Sequence, residues 1–352
     1  MPKKPSIPSF EKKHLQNTVD NIKRIRKAYE GAITEIVAGV DYLKFNGQVF
    51  KVSDYPVIKK QIDAQIKKLK PKVESLILNG IKTSWDLSNE KNNLIVDKRI
   101  GKRRPDPKVK KIYYDPNEKA LDTFKTRTVN GMNLSDRVWR AMEPFKSELE
   151  AGLSVGIRDG KSAANMAKDM KQYLNEPDKL FRRVRNAEGK LVLSKAARDY
   201  HPGQGVYRSS YKNAVRLTRT ENNIAYRTAD HERWKTLPFV TGIEVRLSAA
   251  HPTADICDHL VGEYPKEFKF VGFHPQCICY AVPKMMSDEE YDKLEDAILN
   301  GDDFPESKQS VTDIPDSSKK WLSDNSGLIA RLSNTPYFIK DNKDIVGSYI
   351  KK

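Results

Sequence analysis

Cysteine is scarce in this chain, with three residues among 352. So small and odd a number excludes the disulfide scaffold of a small secreted protein and favours a reducing compartment, so we expect folding in the cytoplasm. The sequence also lacks an apolar run near the roughly 20 residues that cross a bilayer. The basic start MPKKPSIPSFEKK has no apolar segment behind it. These absences predict a protein without a membrane anchor or a secretory signal.

Acidic residues are fewer than basic ones, with Asp+Glu at 47 and Lys+Arg at 63, which gives a formal net charge of +16. A surface with this excess favours polyanionic partners, and nucleic acid is the first candidate. Contacts from lysine and arginine to phosphates carry no base code, so such binding would be non-specific. Charge repulsion that merely keeps the protein in solution is the competing interpretation.

Long amphipathic helices are the main structural prediction. Apolar residues recur at steps of three and four through residues 10–40, which places them on one face of a helix. The predicted stripe is Leu15, Val19, Ile22, Ile25, Tyr29, Ile33, Ile36 and Val40. Hairpin-like patterns occur only near 180–193 and 239–282. We therefore expect an α+β fold that is predominantly α-helical, with long N-terminal helices, a helical core, small β-hairpins and a Cys/His-rich module.

A basic run, KRIGKRRPDPKVKK, covers residues 98–111. Gly101, Pro105 and Pro107 oppose a regular helix, so we expect a basic loop. Its side chains could contact DNA phosphates or an acidic protein surface, although short basic runs are also common on solvated surfaces. The candidate nucleic-acid-binding residues are Lys98, Arg99, Lys102, Arg103, Arg104, Lys108, Lys110 and Lys111.

A strong helical pattern over 208–236 carries one carboxylate, Glu221, on an otherwise apolar stripe. A buried acid with a raised pKa could serve catalysis. A buried acid that pairs with an arginine or a backbone amide is the interpretation we favour. We therefore assign Arg219 and Glu221 to internal structure.

All three cysteines and three of the six histidines lie between His251 and Cys279. Cys257, His274, Cys277 and Cys279 form the pattern C-x16-H-x2-C-x-C. Three thiolates and one imidazole could fill the tetrahedral shell of one structural Zn²⁺ and leave no position for water. The alternate ligands nearby are His259, Asp255 and His251. Reduced, buried cysteines that hold no metal are the other interpretation.

Two catalytic interpretations of the same segment compete with a structural site. A metal-dependent nuclease could use a metal-bound water with Asp255, Asp258, His259 and His274. The thiolate-rich donor set opposes this interpretation, because nuclease metals prefer oxygen and imidazole ligands. A cysteine nucleophile at Cys257 or Cys277 would need an oriented histidine, which the spacing does not demand.

Four sequence blocks stand in order along residues 134–283: LSVGIRDGKSAANMAKDM (153–170), RLTRTENNIAYRTA (216–229), DICDHLVGEYP (255–265) and HPQCICYAVP (274–283). Together they resemble the phage head-morphogenesis family of Mu F-like and SPP1-type minor head proteins. The segment 251–283 most resembles versions from phages and prophages of the Bacteroides group. Ala254 departs from the family pattern, because many members carry there the first cysteine of a Cys-x-x-Cys pair.

The resemblance implies a minor head protein of a tailed phage or prophage, located in the virion head after assembly in the host cytoplasm. It implies contacts with the portal protein, with other head proteins and with DNA, and no catalysis. A nuclease or a phage-encoded toxin-like enzyme is the alternative. The expected division is an N-terminal helical region (1–133), a Mu F-like domain (134–283, with the Cys/His module at 251–283), and a helix, linker and docking tail (284–352).

Overall fold

The structure is a computed structural model, and the protein is predominantly helical with few strands, as the sequence predicts. Helices dominate because apolar residues at helical spacing find buried positions along most of the chain. The structure describes residues 6–40, 52–101, 105–177, 183–185, 187–193, 209–251, 254–303 and 307–350.

The helices of the described residues include three long ones and many short ones. The first seven are α1 (Ile7–Ala38), α2 (Pro56–Ile100), α3 (Pro107–Tyr113), α4 (Glu118–Thr126), α5 (Leu134–Met142), α6 (Phe145–Arg158) and α7 (Ala163–Asn175). The others are α8 (Ser210–Trp234), α9 (Ile256–Leu260), α10 (Asp288–Asn300), α11 (Asp316–Asp324), α12 (Ser326–Arg331), α13 (Tyr337–Lys340) and α14 (Lys343–Val346). Single 3₁₀ turns occupy Val52–Asp54 and Gly347–Tyr349.

Two small antiparallel sheets are present in the described residues. Strands β1 (Arg183–Arg185) and β2 (Leu191–Leu193) form the hairpin predicted over 180–193. Strands β3 (Val240–Arg246), β4 (Gly262–Tyr264) and β5 (Tyr280–Met285) form a sheet in the order β4-β3-β5. Ile243 of β3 faces Tyr264 on one side and Pro283 on the other. The Cys/His segment (251–283) therefore contains the edge strand β4 and runs into the edge strand β5.

The contacts divide the chain into two compact units. Unit 1 contains residues 1–17, 81–124 and 220–352, and unit 2 contains residues 18–80 and 125–219. This division crosses the sequential boundaries at 133/134 and 283/284, because α1, α2 and α8 each contribute residues to both units. Unit 1 holds the three-stranded sheet, the Cys/His segment and the C-terminal residues.

The C-terminal residues complete the core of unit 1. The segment 301–320, predicted as a linker, contacts the core in its second half: Val311 N donates to Thr241 O over 2.9 Å, and Ile314 is buried. The predicted docking of the tail is confirmed by a group of buried apolar side chains that share one core with Cys257 and Tyr264. They are Leu322, Ile329, Phe338, Ile339 and Val346.

Helix α1 departs from the predicted stripe in its first turns. Leu15 and Val19, predicted to face inward, are 56% and 45% exposed. His14, Thr18 and Asn21 are buried instead. The prediction is wrong here because the residues that α1 buries between His14 and Asn21 are polar, so hydrophobic periodicity assigns the wrong face there.

The basic run is helical at both ends, so the prediction of a loop over 98–111 is wrong for much of its length. Helix α2 continues through Pro71 and includes Lys98 and Arg99. It is followed by Gly101 at φ +64°, the left-handed conformation that favours glycine after a helix. Helix α3 then begins at Pro107, which suits a first helical position, with Asp106 accepting from Lys108 N over 2.8 Å.

Unit 2 contains the helix pair of the block 153–170. Ser162 caps α7 by accepting from Asn165 N. Gly156 lies inside α6, where an added Cβ would come within 2.4 Å of Met166 Cγ. The glycine therefore permits close packing of α6 against α7.

Candidate metal centre

Short local elements present the three cysteines. Cys257 lies in α9, whose first turn is fixed by a capping box. In this box the Asp255 side chain accepts from the backbone N–H of Asp258, and the Asp258 side chain accepts from the backbone N–H of Asp255. Cys277 and Cys279 end the connection from β4 and immediately precede β5. The fold thus brings the two parts of the C-x16-H-x2-C-x-C pattern together at one end of the sheet.

The three sulfur atoms converge, as a shared site requires. Cys257 Sγ lies 3.8 Å from Cys277 Sγ, and the Sγ atoms of Cys257, Cys277 and Cys279 all lie within 4.8 Å of one another. All three are free thiols and each is buried. The prediction that these cysteines form one cluster is confirmed.

His274 joins the cluster through Cys257 and Asp255. Its Nδ1 lies 2.9 Å from Pro275 O, and its Nε2 lies 3.2 Å from Asp255 Oδ2. A ligand atom of His274 falls within 4.8 Å of Cys257 Sγ and of a carboxylate oxygen of Asp255. Because Pro275 O can only accept, Nδ1 must be the donor, and in a neutral ring Nε2 then carries a lone pair. That lone pair faces a carboxylate, an arrangement that either a proton on Nε2 or a bound cation would stabilise.

The three alternate ligands differ in their distance from the cysteine cluster. His251 Nε2 lies 3.2 Å from Asp258 Oδ2 and 3.6 Å from Asp255 Oδ1, so these three form an outer group of oxygen and imidazole donors. His259 is exposed and belongs to none of the donor groups found among the described residues. The structure therefore brings His251 and Asp255 to the rim of the cluster and leaves His259 outside it.

The thiols of the cluster differ in acidity. Hydrogen bonds from Cys257 and Cys279 lower the pKa of Cys277, and the charge of Arg227 adds to this effect. The hydrogen bond to Cys277 raises the pKa of Cys257 in turn. A metal ion would displace the thiol protons, because zinc binds thiolates.

The donor set fits a soft divalent cation. Three buried sulfur atoms could hold such a cation, and His274 could supply a fourth ligand, although its ligand atoms group with Cys257 and Asp255 and not with Cys277 and Cys279. Cys257, Cys277, Cys279 and His274 would be the ligands, with His274 binding through Nε2, and Pro275 O, which accepts from Nδ1, would orient the imidazole from outside the shell.

Helix α8 supports this cluster through residues that sequence reasoning did not single out. Arg227 donates to the backbone oxygens of Val271, Cys277 and Cys279. Asn223 Nδ2 donates to Cys277 O over 3.4 Å. Both residues fall within the block 216–229, but nothing in their spacing shows that they reach a loop some 50 residues away.

The basic candidates have unequal surroundings. Arg99 is used inside the fold: it donates to Asp288, Met286 O and Ser287 O and lies over the ring of Tyr291. Its assignment as a phosphate contact is therefore replaced by a structural one. Lys102, Arg103 and Arg104 lie outside the described residues. The four candidates that remain exposed are Lys98, Lys108, Lys110 and Lys111.

The two residues assigned to internal structure also differ. Glu221 is buried at 1% exposure, as expected for a structural acid. Arg219 lies on the exposed side of α8, which does not agree with an internal position. The arginine side chains of α8 that reach the interior are Arg227 and Arg233.

A second buried polar group in unit 1 was not predicted. Lys91 of α2 is fully enclosed, with its Nζ 2.6 Å from Asp230 Oδ2 and 3.1 Å from Glu11 Oε1. Its Nζ also lies 4.4 Å from the ring centroid of Tyr226, against which His14 stacks. Although burial opposes its charge, Asp230 and the other neighbours raise the pKa of Lys91. We call these five residues the Lys91 cluster.

Comparisons with protein-family models, with curated proteins and with solved structures find no match for this chain. Among the described residues, no helix combines the length and the apolar character needed to cross a membrane. The fold and the site together define a predominantly helical α+β protein with a buried thiolate-rich cluster that could bind a metal ion.

Proposed function

We propose that this protein is a minor head protein of a tailed phage or prophage, and that it acts by binding during head assembly and not by catalysis. The observation that carries the proposal is the convergence of Cys257, Cys277 and Cys279 in the core of unit 1. A closed zinc site formed by these cysteines and His274, which we call the metal clasp, would stabilise a binding module. The four sequence blocks within 134–283 supply the link to head morphogenesis.

The metal clasp has a defined role in this proposal. One Zn²⁺ held by Cys257, His274, Cys277 and Cys279 would join α9 to the start of β5 across a small, loop-rich segment. Metal binding would add its free energy to local folding, beside the apolar packing of Phe268, Phe270 and Phe273 in the same core. The clasp would keep the module intact within an assembling particle.

The partners in this proposal are the portal protein, other head proteins and DNA. The net charge of +16 favours a polyanion, and Lys98, Lys108, Lys110 and Lys111 are exposed at the ends of α2 and α3. Lysine contacts with phosphates would hold DNA without reading its sequence. The exposed Leu15 and Val19 of α1 offer an apolar contact for a protein partner.

A metal-dependent nuclease is the second candidate, and one observation favours it. His251, Asp255 and Asp258 form a group of imidazole and carboxylate donors at the rim of the cluster, which is the ligand chemistry that hydrolytic metals prefer. Two facts oppose it. Asp255 and Asp258 already accept backbone N–H groups in the capping box, and the more deeply buried donors are sulfur.

One experiment separates the two candidates. The full chain would be co-expressed with a portal protein candidate from the same genome, and the purified protein would be incubated with linear duplex DNA and Mg²⁺ or Zn²⁺. We expect co-purification with the portal protein, gel retardation that weakens with added salt, and intact DNA. Fragmentation of the DNA that disappears in His251→Gln and persists in the control His259→Gln would contradict the proposal and support a nuclease.

A further inference from the structure

The guanidinium group of Arg227 is bound to the backbone that carries two of the cysteines. Its Nη1 donates to Val271 O over 3.0 Å, and its Nη2 donates to Cys277 O over 2.7 Å and to Cys279 O over 2.5 Å. Its plane lies over the Phe270 ring, with Cζ 5.1 Å from the ring centroid. Because the guanidinium is a rigid, planar fork of donors, three carbonyl oxygens held by it are fixed relative to one another.

The loop approaches this guanidinium closely, and the approach depends on a glycine. Gly272 has φ +116°, a conformation that residues with a Cβ rarely adopt. A Cβ at Gly272 would also come within 2.7 Å of Arg227 Nη1 and 3.2 Å of Cys277 Cβ. The loop is therefore built around the arginine, and Cys277 lies on the same side of the loop.

The charge of Arg227 suits a thiolate-rich cation site. A divalent cation with three thiolates and a neutral imidazole carries one net negative charge, which is unfavourable in a buried position unless a positive group lies near. Arg227 contacts the backbone of two of the three cysteines, so its positive charge lies directly outside the shell. Residues in this position commonly determine metal affinity as strongly as some ligands do.

We propose that Arg227 is a positioning residue for the metal clasp: it holds the Cys277-x-Cys279 turn ready for the metal and offsets the surplus charge of the loaded site. This inference rests on the proposed metal clasp and goes beyond it, because it makes helix α8 a determinant of metal affinity. A merely structural arginine would contribute the same stability with and without metal. A positioning arginine contributes more to the loaded state.

The test uses the full chain, freed of metal with a chelator and titrated with Co²⁺ and then with Zn²⁺ against a chromophoric competitor. Arg227→Lys keeps the charge and loses the fork, whereas Arg227→Gln loses both. Arg246→Gln is the matched control, since Arg246 is an exposed arginine of the same unit that pairs with Glu244. Gly272→Ala keeps the arginine but crowds its guanidinium.

We expect zinc affinity to fall about 10- to 100-fold in Arg227→Lys, further in Arg227→Gln, and not at all in Arg246→Gln. We expect the Co²⁺ absorption band of tetrahedral thiolate coordination to shift or weaken in Arg227→Lys and in Gly272→Ala. The melting temperature of each metal-free variant, compared with the metal-free parent, shows whether it still folds. If Arg227→Gln does not fold, Arg227→Lys and Gly272→Ala decide the question by affinity.

Unchanged zinc affinity in the folded Arg227 variants, with only a lower metal-free melting temperature, would overturn the inference and leave the clasp standing. Failure of the parent chain to bind either cation would overturn the clasp itself, and with it this inference. The two failures are therefore distinguishable in one titration.

Discussion

Unit 1 contains two buried groups of ionisable side chains, and their charges are offset in different ways. In the Lys91 cluster, a buried ammonium is balanced within the chain by Asp230 and Glu11, and Ser88 and Asn92 donate further hydrogen bonds to Asp230. In the cysteine cluster, the groups are sulfur atoms that repel one another when all are ionised. The first group has charges of both signs within the chain, whereas the second needs an external cation to become fully charged.

The two clusters also differ in how far apart their residues lie in the sequence, and this decides whether a site can be predicted from the sequence. The cysteine cluster draws its ligands from residues 257–279, so their spacing can be read directly. The Lys91 cluster joins Glu11, Lys91 and Asp230, which are separated by up to 219 residues and have no unusual chemistry alone. Common polar residues that meet only in the folded chain leave no local pattern.

The largest expected effect comes from removing the metal or one of its ligands. Structural zinc contributes on the order of 10 kcal/mol in small zinc modules, so Cys277→Ser should lose bound zinc and unfold the Cys/His segment. Chelator treatment of the parent chain should reproduce the result. Proteolysis between β4 and β5, with zinc content measured in parallel, checks this outcome, and Met286→Leu, in the same core, is the control.

The next largest effect concerns the cluster that needs no cation. Lys91→Met leaves Asp230 buried without its counter-charge, which should reduce the free energy of unfolding by about 3–5 kcal/mol. Adding Asp230→Asn, which keeps an acceptor for Ser88 and Asn92, should restore part of that loss. Urea denaturation of the two variants measures the coupling. Equal stability of the single and double variants would show that the ion pair is not the source of the effect.

Acid should lower the free energy of unfolding in a pH window set by two histidines, His14 of the Lys91 cluster and His231. Burial lowers the pKa of His14 from 6.5 to about 4, although Asn223 and Glu11 oppose this shift, and burial also lowers the pKa of His231 to about 4. The unfolded chain therefore binds more protons than the folded chain between these values, so stability is full above pH 6.5 and is lost as the pH falls toward 4. The shift corresponds to about 3 kcal/mol for His14.

The variant His14→Gln tests this window, because glutamine can still bond to Asn223 but does not titrate. Its free energy of unfolding should depend less steeply on pH between 6.5 and 4 than that of the parent, and the remaining slope should belong largely to His231. Parallel curves for the two proteins would contradict the assignment.

The smallest effect belongs to the exposed basic residues. Replacing Lys110 and Lys111 by glutamine should leave stability unchanged and reduce the slope of log K against log salt for duplex DNA by roughly 1 per lysine that contacts a phosphate. Lys12→Gln and Lys13→Gln, exposed on α1, are the matched control. An equal decrease in the control would indicate a diffuse surface effect.

Much of the fold follows from periodicity, and the departures have physical causes. Helix α8 and strand β3 were predictable because their apolar residues recur at regular spacing. The buried face of the first turns of α1 was not predictable, because His14 and Thr18 replace apolar residues on it. The convergence of the three cysteines was predictable from their spacing and chemistry. Arg227 was not, because its importance arises from three carbonyl groups that approach it only in the folded chain.

The central claim is that the cysteine cluster is a closed metal clasp and not a reactive centre, and metal content tests it most directly. Elemental analysis of the full chain purified without chelator should give about one zinc per chain, with Co²⁺ replacing it in a tetrahedral thiolate environment. Zinc below half an equivalent, together with a melting temperature that a chelator leaves unchanged, would contradict the claim.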